Sequence, residues 1–75
     1  MSNLQHEQEL FLQTRKILQS AGIVEPALSA LAVTVAPERA ELWADWLSDP
    51  PARFKLPAAY AVKRLTADPL SEPPV

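Results

Sequence analysis

The sequence predicts an all-α fold, a compact bundle of four short helices with a Pro-rich extended C-terminal tail. Three observations predict it. Apolar residues recur at three- and four-residue spacing, the period that gathers them on one helix face. Eight prolines punctuate the 75 residues, and several stand where a helix-compatible stretch begins. No stretch alternates apolar and polar residues for more than a few positions, and a single glycine leaves little turn chemistry for hairpins.

The first helix is expected from about Asn3 or Leu4 to Ala21. Leu10/Phe11, Ile17/Leu18 and Ala21 recur at helical spacing, with Thr14 between them. Glu7 and Glu9 near its start, and Arg15 and Lys16 nearer its end, suit the helix dipole, and Gly22 supplies the stop. A second helix starts at Pro26 and covers Ala27 to about Val33, burying Leu28, Leu31 and Ala32. Ile23 and Val24 can cap the core from the connection before it. The third opens at Pro37 and runs to Leu47 or Ser48 on an apolar stripe of Ala40, Trp43, Trp46 and Leu47. Neither Thr34 nor Ala36 makes an obvious cap for it. The connection from Ser48 to Leu56 holds Phe54, expected to fold back into the core. The fourth helix opens at Pro57 and runs to about Thr66, with Tyr60, Ala61 and Leu65 as contacts. Residues 1–67 thus read as a single helical domain. Residues 68–75 carry three prolines and read as a flexible or extended tail.

So short a chain buries only roughly 60% of the surface its unfolded form exposes, and its stability margin is thin. Disulfides, zinc–thiolate sites and thiol nucleophiles are excluded because there is no cysteine. One histidine cannot build a histidine metal cluster, and His6-Glu7 lacks the second histidine of a zinc-binding H-E-x-x-H helix, with Leu10 in its place. Glu38, Glu41, Asp45 and Asp49 line one helix face three and four residues apart. Carboxylates in such a stripe diverge into solvent, so a solvated face accounts for them better than a metal or acid–base site. Ser20, Ser29, Ser48 and Ser71 have no histidine base within plausible reach. The sequence therefore predicts a non-enzymatic protein with no metal and no cofactor. The N-terminus has neither the basic start nor the apolar run of a secretory signal. The longest apolar stretch, Ile23 to Ala36, is broken by Glu25, Pro26, Ser29 and Thr34 and is too short to span a bilayer. A cytoplasmic protein without membrane contact is expected.

The net charge of −2 argues against generic coating of nucleic acid, but the charge is segregated. Residues 1–50 carry three basic and seven acidic side chains, whereas residues 51–65 carry Arg53, Lys55, Lys63 and Arg64 with no acid. Together these four cations can contact two or three phosphates, with backbone donors at Pro57 adding to them and Tyr60 available to stack. Equally, four surface cations can fall in one stretch without function, and Lys63 and Arg64 already suit the end of their helix. Trp43 and Trp46 read first as core; the rival reading leaves one of them partly exposed as the anchor of a partner.

The order of these motifs resembles a small helical module of replication-initiation and related DNA-handling proteins of phages, plasmids and integrative elements. The resemblance rests on Leu18-Gln19-Ser20-Ala21-Gly22-Ile23-Val24-Glu25-Pro26, on Pro37-Glu38 leading to Trp43 and Trp46, and on Leu56-Pro57, Lys63-Arg64-Leu65 and Glu72-Pro73-Pro74. It covers about residues 15–75 and consists of packing and turn residues. Ala36 stands where the module usually has threonine, and Pro57-Ala58-Ala59 where it favours glycine. The resemblance implies proximity to DNA machinery. The expected function is an adaptor within a replication or transcription assembly, docking on a protein partner while residues 51–65 touch nucleic acid or an acidic surface. A direct helix-turn-helix DNA binder, a phage or mobile-element inhibitor of a host enzyme, and a homodimer that hides the tryptophan-bearing face are the alternatives.

Overall fold

A computed structural model describes residues 2–74, with side chains from His6 onward. It contains four helices: α1 (Ser2–Ser20), α2 (Ala27–Thr34), α3 (Pro37–Ser48) and α4 (Pro57–Ala67), and no strand among the described residues. α1 packs against both α2 and α3, while α4 leans on α2 and α3. The apolar spacing selects the core as expected. Leu18 of α1, Leu28 and Leu31 of α2, Ala40 and Trp43 of α3, and Ala61 and Leu65 of α4 are buried together with Ile23 and Val35 from the connections.

Local chemistry sets each boundary. α1 ends in a Schellman motif, in which the Gly22 amide donates to the Gln19 carbonyl and the Ile23 amide to the Leu18 carbonyl, both at 3.1 Å. Gly22 takes φ +101°, a region that L side chains rarely adopt. The turn drops Ile23 beside Leu18 in the core, the apolar contact that usually accompanies this motif.

α2 is capped by a residue that the sequence reading did not single out. Glu25 accepts the Ser29 amide at 2.8 Å and the Ser29 hydroxyl, and it pairs with the Arg15 guanidinium of α1 at 3.3 Å. One carboxylate thus serves an orphan donor near the start of α2 and ties the helix to α1. Pro37 and Pro57 open α3 and α4 without a side-chain cap, since their fixed φ and missing N–H suit a first helical position. Between α2 and α3 the chain turns through Val35 and Ala36. The fully buried Thr14 hydroxyl of α1 holds this turn by donating to the Val35 carbonyl at 2.9 Å.

The C-terminal segment departs from the expected flexible tail. Residues 68–74 form no helix, but they fold back onto α3 and α4. The Leu70 amide donates to Asp68 Oδ1 and the Ser71 amide to the Asp68 carbonyl, both at 3.0 Å, which turns the chain. Ser71 is then buried; its hydroxyl donates to the Arg64 carbonyl at 3.2 Å, and its own carbonyl accepts the Trp43 indole N–H at 2.9 Å. A buried indole N–H usually finds an acceptor, and here the Ser71 carbonyl supplies it. A non-helical strand of chain has carbonyls to spare, and its prolines reduce the entropy lost when it docks.

Two consequences are measurable. Gly22→Ala meets no atom within 4 Å of the added Cβ, so its cost is purely conformational, about 1–2 kcal/mol in a denaturant titration. The Glu25 carboxyl is held below its ordinary value, first by the Ser29 hydroxyl and then by the Ser29 amide, with Arg15 adding less. A carboxyl whose pKa is lowered by folding stabilises above its unfolded pKa and loses that contribution as pH falls through the folded value. Glu25→Gln should therefore melt below the wild-type protein at pH 7, and the gap should close on acidification below about 4.3, the ordinary glutamate range.

Candidate functional site

The residues that the sequence reading marked for partner or nucleic-acid contact fall into two groups in space. Trp43, Trp46, Phe54 and Tyr60 build one aromatic cluster. Trp46 meets Trp43 edge-on at 5.5 Å between ring centroids and Phe54 edge-on at 4.9 Å; Tyr60 lies 4.8 Å from Phe54 and 5.8 Å from Trp46. Such geometries contribute about 0.5–1.5 kcal/mol per pair beyond area burial. The loop after α3 is pinned by this cluster: the Phe54 amide donates to the Pro51 carbonyl at 3.0 Å, and the ring closes over Trp46 and Tyr60. Phe54 thus folds back as expected, to a half-buried place at the edge of the core.

Trp43, Trp46 and Tyr60 are placed differently from one another. Trp43 is fully buried, with its N–H bound to Ser71, so it is a core residue rather than a partner anchor. Trp46 keeps a partly exposed edge, but its indole N–H is buried without a partner among the described residues, and its ring is held by Trp43, Phe54 and Tyr60. The half-buried Tyr60 ring is packed among the other three rings and is not free to stack on a base. The tryptophan-bearing face is covered from within the chain by Phe54, Tyr60 and the C-terminal segment, so hiding it does not require a second copy.

The second group is the four cations. Arg53, Lys55, Lys63 and Arg64 are all exposed. Among the described residues none pairs with a carboxylate; the ion pairs present are Arg15–Glu25 and Arg39–Glu72. The second of these is a 3.2 Å approach of Arg39 Nη1 to Glu72 that misses hydrogen-bond alignment, leaving that buried nitrogen without a bond. Arg53 is the most constrained of the four, with its guanidinium 5.0 Å from the Phe54 ring centroid. Lys63 and Arg64 stand three and four positions beyond Tyr60, so they share its side of α4. Along the chain Arg53 and Lys55 flank Phe54, and Lys63 and Arg64 follow Tyr60, so the four cations neighbour two members of the aromatic cluster in sequence.

The carboxylates of α3 do not converge. Glu38, Glu41, Asp45 and Asp49 are exposed along the helix, and among the described residues no group of three or more His, Asp or Glu side chains could hold a metal ion. No described helix is long and apolar enough to cross a membrane. No family model, curated protein or solved structure matches this chain.

The docked tail yields a test on Trp43. Deleting residues 68–75 removes the acceptor of a buried indole N–H and uncovers the ring. We expect a loss of about 1–3 kcal/mol and a red shift of tryptophan emission. A truncated chain that melts and fluoresces like the full one would show that the segment is not a structural part of the fold.

Proposed function

We propose that this chain is a non-enzymatic interaction module of a DNA-handling assembly, an adaptor that docks on a protein partner while its basic face touches nucleic acid. One observation carries the reading: Arg53, Lys55, Lys63 and Arg64 are exposed and, among the described residues, unpaired, in an acid-free segment that also supplies Phe54 and Tyr60 to the aromatic cluster, in a protein that is otherwise acidic. With no carboxylate paired to them among the described residues, their charge faces solvent. The resemblance to replication-associated helical modules supplies the direction, since the matching phrases include Lys63-Arg64-Leu65 on this face.

The geometry favours phosphate contact over base reading. Tyr60 and Trp46 are committed to each other and to Phe54, which leaves charge as the means of contact. A direct helix-turn-helix binder fits less well. The only tight connection after α1 is the turn between α2 and α3, which would make α3 the recognition helix. Its exposed Glu38, Glu41, Asp45 and Asp49 would face phosphates of the same sign. The connection from α3 to α4 spans residues 49–56, longer than the three or four residues of that motif.

With two or three phosphates engaged, binding of a short duplex should weaken roughly 10- to 40-fold between 50 and 200 mM salt. Fluorescence anisotropy with labelled single- and double-stranded oligonucleotides measures this directly. The variant R53A/K55A/K63A/R64A should lose the binding and keep the wild-type fold, because the four side chains are exposed and only Arg53 gives up a ring contact. Equal affinity in that variant, or affinity indifferent to salt, would remove nucleic acid from this reading.

A further inference from the structure

A second surface of opposite character lies where the first half of α1 passes the turn between α2 and α3. It is an open groove of about 840 Å³. Leu10 and Phe11 form one wall; Val33, Val35, Ala36 and Pro37 form the other. Val33 is 72% exposed and aims an aliphatic side chain at solvent in this groove. The rim is acidic, with Glu7 on α1 and Glu38 at the start of α3. Among the described residues neither carboxylate has a cationic partner, although Arg39 beside Glu38 is engaged by Glu72.

α1 itself supplies an independent sign that this face is incomplete. The helix runs for 19 residues, against eight for α2 and 12 for α3, and the molecule measures 46 × 22 × 21 Å. Its first fully buried side chain among the described residues is Thr14. His6 to Glu9 are exposed, and Leu10 and Phe11 are only half-buried. A helical stretch this short is marginal in water without an apolar face to pack. The next apolar side chains along α1, Leu10 and Phe11, line the groove, whereas Leu12 is exposed outside it.

Charge selects the occupant. Nucleic acid is repelled by the rim. Two copies related by a twofold axis would set Glu7 and Glu38 against the same residues of the other copy, which opposes self-pairing through this face. A protein segment with an apolar ridge and flanking lysines or arginines satisfies both the walls and the rim. We propose that the groove receives a short basic amphipathic helix of a partner protein, its ridge seated between Phe11 and Val33 and its cations against Glu7 and Glu38. This surface differs in residues and sign from the basic face, so the two readings stand or fall separately.

The test uses the full ¹⁵N-labelled chain and two synthetic helical peptides with the same leucine ridge, one flanked by lysines and the other by glutamates. The lysine peptide should shift amides in 6–11 and 32–38, and the glutamate peptide should not. Val33→Asp, an exposed position, should weaken the lysine peptide at least tenfold while the remaining amide spectrum stays that of the folded protein. The double variant E7K/E38K should reverse the preference toward the glutamate peptide. Equal responses to both peptides, shifts confined to other residues, or indifference to these variants would overturn the proposal. So would DNA-induced shifts in the same amides. Sedimentation that shows concentration-dependent association abolished by E7K/E38K would overturn it by making a second copy the occupant.

Discussion

Trp43 cannot be placed in so small a core without solving two problems, and the rest of the structure is arranged around their solution. Its ring is fully buried, which gives a gross gain of about 4–6 kcal/mol from apolar area before entropy is counted. Its N–H must find an acceptor in the same place. The chain beyond α4 returns and presents the Ser71 carbonyl to it. That return fixes the direction in which α4 ends, because Ser71 also donates its hydroxyl to Arg64. It also brings Glu72 to Arg39 on α3. A single indole thereby joins the third helix, the fourth and the segment after them, in a chain with no disulfide to do so.

The neighbouring tryptophan is treated differently. Trp46 has no acceptor for its buried N–H among the described residues and is held by edge-on and tilted contacts with Trp43, Phe54 and Tyr60. Those contacts position the loop after α3, which is otherwise punctuated only by Pro50 and Pro51. Arg53 lies over Phe54 as a result, its guanidinium 5.0 Å from the ring centroid. Packing at the edge of the core thus determines where the charge of the 51–65 segment is displayed.

What was legible in the sequence follows from the range of the interactions involved. Helix ends were readable because proline and glycine act through their own backbone: Pro37 and Pro57 open helices where expected, and Gly22 closes one. The α1 stripe was readable because periodicity is local; Thr14 and Leu18 are its buried members. The positions of the four cations outside the core were readable from charge alone. The docked tail was not, because its cause is an N–H buried 28 positions earlier in the chain. Nor was the Glu25 cap, whose carboxylate reaches forward to Ser29 and back to Arg15. How Tyr60 and Trp43 are covered was not legible for the same reason: whether a ring is covered depends on which distant segment closes over it. The groove beside α1 arises only when the first half of that helix runs past the turn that follows α2.

The contacts that hold the fold and the side chains proposed for binding are largely separate sets. Gly22, the Glu25–Ser29 cap, the Thr14–Val35 bond and the Trp43–Ser71 bond set the architecture, and none uses Arg53, Lys55, Lys63, Glu7 or Glu38. Arg64 enters only through its backbone carbonyl. The exposed charges can therefore change sign with little effect on the core, since exposed positions outside such contacts shift stability by about 0.5 kcal/mol or less. In a domain with a thin stability margin this separation matters. A partner surface built from core residues would tie affinity to folding, whereas the exposed charges proposed for recognition could vary on a fixed frame.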